Sequence, residues 1–421
     1  MISRVSLWML GVCLSACSGC TAPPVLTDAS MDRAEVSALR DASARDSDAQ
    51  SDARDARPPP WADGSMQFQE VPLPWDRAAY GRCEGAELIS PSVWFDQYEA
   101  GFLQGNWLYY TVNGNDAHVD VRRGEVRSFV DAQRRREGLK ACTVRSQNRL
   151  MIAIGTIRTR DEAFFRFADM TIDQPAEMLW SHREDPPTTR LFGWSALTAT
   201  DTLVAFNRVA IEPTWSVQAN LYVMNPDGTN LENVTAGEPD NVLEFRADGD
   251  RIVYSLHGQI RMWSRVNRVS RVIAPTRRAQ WMPWISGDYV VWTDQRHGER
   301  GTRVEPDNPE IYLMNLRTEE VTRVTHDPPE RLAVQDRATV QGDWVVWLDL
   351  RHATAPNGSF LGDRMAIYGY HIPSRREFVL FNDPPCLATS PVIFGEHVYF
   401  GAFVPSVNRT GMYRVPLPVV P

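Results

Sequence analysis

The chain has 421 residues, 43% of them hydrophobic, with 14 Trp, 12 Tyr and 16 Phe, which is ample material for a large buried core. Its net charge of -9 lacks the basic excess that a nucleic-acid partner needs. Lys140 is the only lysine among 44 basic residues, a bias we read as genomic base composition rather than function.

Arg4 and the apolar run Val5 to Leu14 form a secretion signal, too short to span a bilayer as a stable helix. Leu14-Ser15-Ala16-Cys17 resembles the lipobox of bacterial lipoproteins. The resemblance implies a signal peptide over 1–16 and lipidation of Cys17 after cleavage, with two or three acyl chains giving stable anchoring. In a Gram-negative host, Ser18 after that cysteine implies the outer membrane, facing the periplasm or the cell surface. The rival reading is an ordinary signal peptide with incidental cysteines.

Residues 17–65 carry the lipidated cysteine and a tether of Ala, Asp, Ser, Arg and Pro that holds too little apolar area to offset ordering entropy, so disorder is expected. Pro58-Pro59-Pro60 stiffens its end.

From there to residue 421 a short phrase recurs: an acidic or amide residue, a variable one, two apolar residues and usually an aromatic. Asp288-Tyr289-Val290-Val291-Trp292 and Asp343-Trp344-Val345-Val346-Trp347 are the clearest copies, and others begin at Asn106, Asn148, Asp201, Asp250 and Glu396. The period of about 40–55 residues is that of a four-stranded propeller blade. Third strands are expected around Asn220–Met224, Gln259–Trp263, Glu310–Asn315, Ala366–Tyr370 and Met412–Val415, with fourth strands such as Val321–Thr325. A sheet apolar on both faces must stack, and the stack must close or leave an exposed end. Residues 66–421 are therefore predicted to form one all-β, seven-bladed β-propeller, with six blades and an irregular extra sheet as the alternative. Pro416, Pro418 and Pro421 forbid a fourth strand after the last repeat, so Met66–Val71 is expected to close that blade.

The repeats resemble those of TolB and of prolyl oligopeptidase-type propellers, most closely at Tyr222-Val223-Met224-Asn225-Pro226-Asp227-Gly228. Val291 to Arg296 and Val346 to Arg351 resemble propeller repeats of microbial cell-surface proteins. The tether stands where TolB carries an α/β domain, which puts a Tol-Pal role in doubt.

Chemistry-bearing motifs are sparse. No Gly-x-Ser-x-Gly turn or histidine-pair metal motif occurs, and no catalytic residue, metal site or cofactor is predicted. Cys83, Cys142 and Cys386 are each expected just before the first strand of a blade; they allow a disulfide involving Cys83 whose partner spacing cannot choose. Long loops between second and third strands, together with interblade connections, gather Trp215, Arg277, Arg278, Trp281, Arg296, His297, Arg351 and His352 on one candidate binding face. Against it stands a structural reading of Arg296 and Arg351, in which Asp294 and Asp349 hold loop backbone and the arginines pair with carboxylates. The function expected is a non-enzymatic, monomeric, membrane-anchored propeller of the cell envelope, binding a protein or cell-wall polymer. A propeller enzyme acting on polysaccharide or a small molecule, and a subunit of an envelope complex, are the rivals.

Overall fold

A computed structural model describes Gln69–Pro72, residues 75–91, the strands between 103 and 199, and residues 200–421 apart from 212–216, 227–228, 239–240, 243, 297–308, 327–333, 353–364 and 385. Side chains are described for 75–90, for 198, and from 200 onward outside 208–218 and those gaps. Signal, tether and Cys17 lie outside the described residues.

The described strands form seven antiparallel sheets, numbered here I to VII, built mainly from residues 103–130, 140–184, 191–233, 245–272, 280–323, 335–381 and 387–416. Every copy of the recurrent phrase falls on the second strand of its sheet: Trp107–Val112, Leu150–Gly155, Val204–Ile211, Arg251–Leu256, Tyr289–Asp294, Trp344–Asp349 and His397–Val404.

The acidic residue of the phrase belongs to the turn that precedes this strand. In sheets IV to VII a two-residue loop, Gly249-Asp250, Gly287-Asp288, Gly342-Asp343 or Gly395-Glu396, joins strands one and two. Each glycine has φ between 55° and 59°, as a hairpin with glycine at its first central position requires. The acidic residue's carbonyl then accepts a backbone hydrogen bond from just beyond strand three, at Arg265, Leu316, Ile372 and Leu417 (2.7 to 2.9 Å). A short turn thus ties three strands together.

The paired apolar residues of the phrase serve two neighbours. Because adjacent strand residues face opposite sides, Ile252 packs into the core between sheets III and IV while Val253 packs between IV and V. Val290 then faces sheet IV and Val291 faces sheet VI, and Val345 and Val346 divide likewise between V and VII. All six are completely buried. Burying one such side chain contributes about 1.5–3 kcal/mol, so a sheet covered on both faces needs two adjacent apolar residues where a half-exposed sheet needs one.

The strand that pairs with the last strand is not the one expected. Glu87–Pro91 lies antiparallel to Arg409–Pro416, whereas Gln69–Pro72 lies on the outer edge of sheet I beside Val126–Val130. Local chemistry accounts for the difference. Cys83 and Cys386 form a disulfide with Cα atoms 5.9 Å apart, Arg414 pairs with Glu87 at 2.8 Å, and the Tyr413 hydroxyl donates to the Gly81 carbonyl at 2.7 Å. Gly411 leaves room for Leu88, whose Cδ1 would stand 2.6 Å from a Cβ built there. Cys83 consequently precedes an outer strand, Cys142 lies within the first strand of sheet II, and only Cys386 immediately precedes a first strand.

Candidate functional site

Sheets V and VI carry the Asp-x-Arg phrase at the end of their second strands. Asp294, fully buried, accepts from the Trp292 indole (2.9 Å), the Gln280 amide (2.8 Å) and the Arg296 backbone (2.8 Å), and the Arg296 guanidinium grips it through Nε (2.9 Å) and Nη2 (2.7 Å). Burial alone would push the Asp294 carboxyl up, but the bonds from Arg296, Trp292 and Gln280 outweigh burial and hold it below its ordinary value. The guanidinium also lies over the Tyr312 ring, 4.6 Å from its centre.

Sheet VI repeats the arrangement. Asp349 accepts from the Trp347 indole (2.8 Å) and from Arg351 through its backbone, Nε and Nη2, while Arg351 sits 4.2 Å over Tyr368 and reaches Glu377 at 2.9 Å. Desolvation would weaken the proton affinity of Arg351, yet Asp349 and Glu377 raise it. His352 is bonded to the Tyr368 hydroxyl at 3.0 Å. These side chains fasten the sheet to its own loop. The structural reading of the phrase is the one the geometry supports, and Arg296 and Arg351 have little charge left for a ligand.

Of the remaining members of the expected face, Trp215 and His297 lie outside the described residues. Arg277 and Arg278 are exposed, and neither guanidinium has a partner among the described residues. Trp281, half-buried, leads to a different feature.

The first strands of sheets V, VI and VII are irregular near the end that carries the Asp-x-Arg loops. Register shifts between Trp281 and Trp284 and between Asp336 and Thr339, and sheet VII's first strand is split into Leu387–Ala388 and Val392–Phe394. At the two bulges Met282 and Arg337 adopt φ of 51° and 58°, a left-handed conformation costly for residues with a Cβ. The bulges turn polar groups of successive sheets toward one another. Glu244, ahead of sheet IV's first strand, accepts from the Met282 backbone at 2.6 Å. Next to it, the Trp281 indole donates to Asp336 Oδ1 at 3.3 Å, and Arg337 donates to Ser390 Oγ at 2.7 Å.

Asp336 is the most unusual group in this cluster. Its Oδ1 accepts three hydrogen bonds, from Trp281, from Thr293 Oγ1 (3.0 Å) and from the Arg337 backbone (2.8 Å), whereas Oδ2 has no partner among the described residues. The residue is half-buried. Burial raises its carboxyl above the ordinary value, and Arg337 offsets this only in part. Such a group suits hydrogen bonding to a ligand or transfer of a proton. Sequence reasoning found Trp281 but not Glu244, Asp336, Arg337 or Ser390; Pro283, inside the first strand of sheet V, and Pro391, in the break of sheet VII's first strand, were the available signal.

No family model and no curated relative matches this sequence. Among solved structures the chain is similar to an oligogalacturonate lyase in complex with manganese, at 11% identity and TM-score 0.53, over 84% of this chain and 98% of the other. It is also similar to the β-propeller domain of the Trilobed protease from Pyrococcus furiosus (8% identity, TM-score 0.48, 79% and 96% covered) and to a TolB from Agrobacterium tumefaciens (12%, 0.33, 62% and 87%). At these identities the likeness is one of fold.

Proposed function

We propose that the protein is a lipid-anchored, seven-bladed β-propeller of the bacterial cell envelope, closed by Glu87–Pro91, that binds an envelope protein or cell-wall polymer where its first strands bulge. The observation that carries the binding site is Asp336, held by three donors on one oxygen with the other left open, beside Trp281 and Arg337. A strained backbone at two neighbouring bulges supports the same reading, since such strain persists where function needs the geometry. Arg277 and Arg278 extend the surface outward from Trp281. The anchor rests on Cys17 in its lipobox-like setting, and no cofactor enters the proposal.

Affinity capture of the lipidated protein from detergent-solubilised envelopes, read by mass spectrometry, tests the surface. A partner held by wild type and lost from Trp281→Ala, from Asp336→Asn and from the Arg277→Ala/Arg278→Ala pair is expected; identical captures reject this face. Cys17→Ala should move the protein from the membrane to the soluble fraction, and unchanged sedimentation would reject the anchor.

One observation favours a second reading, acid–base catalysis on a polysaccharide or small molecule. Glu244 and Asp336 contact the adjacent residues Met282 and Trp281, one through backbone and one through indole, so two carboxyls flank one short stretch, and burial holds that of Asp336 above its ordinary value. Turnover of any member of a polysaccharide panel that Asp336→Asn abolishes would establish it.

A further inference from the structure

A cavity of about 270 Å³ opens between sheets V and VI at the opposite end of the strands from the bulges. It is independent of the site proposed above. Leu313 and Ile372 are apolar residues of its lining, and Tyr289, Tyr370 and Thr322 are lining residues that carry hydroxyls. None of these three hydroxyls has a hydrogen-bond partner among the described residues. Tyr370 is only 8% exposed. Its phenol is pushed up mainly by burial, and it feels the opposed charges of Arg375 and Glu320. Those two residues form the lip, an exposed pair 3.7 Å apart whose charges cancel.

The lining narrows the choice of occupant. An ion would find no uncompensated charge at the lip. A purely apolar group would cover three hydroxyls without satisfying them, which is unfavourable. The volume lies just under the usual range of ligand cavities, about 300–1,000 Å³, enough for one ring and not for a chain of them. An uncharged ring with an apolar face and hydroxyls around its edge meets every condition. We infer that this cavity binds one neutral pyranose unit of a glycan, with Tyr289, Tyr370 and Thr322 supplying its hydrogen bonds.

Titration of the purified protein with N-acetylglucosamine and with glucose, followed by calorimetry and by chemical-shift changes, tests the inference, with galacturonate and cyclohexanol as charged and apolar comparators. A neutral sugar should bind best, and Tyr370→Phe and Tyr289→Phe should each weaken it about tenfold, the value of one lost hydrogen bond. Neither variant should lower the melting temperature, because neither hydroxyl has a partner among the described residues. Thr322→Val, on the wall opposite Tyr370, gives an independent variant should a tyrosine change disturb packing. The inference is overturned if neither sugar binds, if galacturonate or cyclohexanol binds as well as the sugars, or if the variants bind like wild type. Those outcomes leave capture through Trp281 and Asp336 unaffected, so the two sites stand or fall separately.

Discussion

Asp349 and Asp336 lie at the same end of sheet VI, one closing its second strand and the other near the start of its first, and they put the same side chain to different uses. Both Asp349 oxygens are engaged, with Trp347 on one and Arg351 bridging both, and the charge is fully answered within the sheet. Asp336 crowds three donors onto one oxygen, leaves the second open, and sits beside a left-handed Arg337. A saturated carboxylate stabilises the fold, whereas one held half-satisfied in a buried niche costs stability and gives the protein something to work with.

Substitutions at both kinds of carboxylate put that contrast to the test. The largest effect is expected from Asp349→Ala or Asp294→Ala, which strand an arginine and an indole in the interior. Each should lose about 3–5 kcal/mol in denaturant unfolding. Because the bonds of Asp294 hold its carboxyl low, its contribution is complete above the ordinary value of 3.8 and fades as pH falls through the lower folded value. Acid unfolding below about pH 4 should therefore be less steep in Asp294→Asn than in wild type.

Reduction of Cys83–Cys386, or Cys83→Ser with Cys386→Ser, comes next. The bridge joins residues 303 apart in sequence and ties Glu87–Pro91 to sheet VII, so its loss should cost about 3–5 kcal/mol, read as a lower denaturant midpoint. Arg351→Lys should cost less, about 1–2 kcal/mol, since the ammonium keeps the charge but loses the two-pronged grip and the stack on Tyr368. The smallest effect belongs to Arg277→Ala/Arg278→Ala, within about 0.5 kcal/mol of wild type by thermal melting.

Much of the fold was legible because its cause is local. Paired apolar residues such as Val290-Val291 and Val345-Val346 reveal sheets covered on both faces, and the Gly-acid dipeptides before them mark the turns. The Asp-x-Arg phrase was legible for the same reason, since the Trp and Arg that hold each aspartate lie within two residues of it. The partner of the last strand was not. Both Met66–Val71 and Glu87–Pro91 can form strands, and the choice is made by the disulfide, the Arg414–Glu87 pair and the space at Gly411, all separated by more than 300 residues. The bulge cluster was hidden more deeply. Glu244, Trp281, Asp336 and Ser390 come from four sheets, and a left-handed Met282 or Arg337 has no residue preference to announce it beyond Pro283 nearby.

Asp336 is kept at a cost to stability while Asp294 and Asp349 are not, a difference that thermal melting of Asp336→Asn against wild type at two pH values would expose. The fold raises the proton affinity of Asp336, so its protonated form is the one the folded chain favours; that preference is fully satisfied below the ordinary value of 3.8 and is lost as pH climbs through the folded value. Asparagine keeps an acceptor for the three donors without the charge, so the variant should be more stable than wild type at pH 7, by about 1 kcal/mol, with the difference gone near pH 3.5. A loss of stability at pH 7 as large as that of Asp349→Asn would contradict the account and return Asp336 to the scaffold.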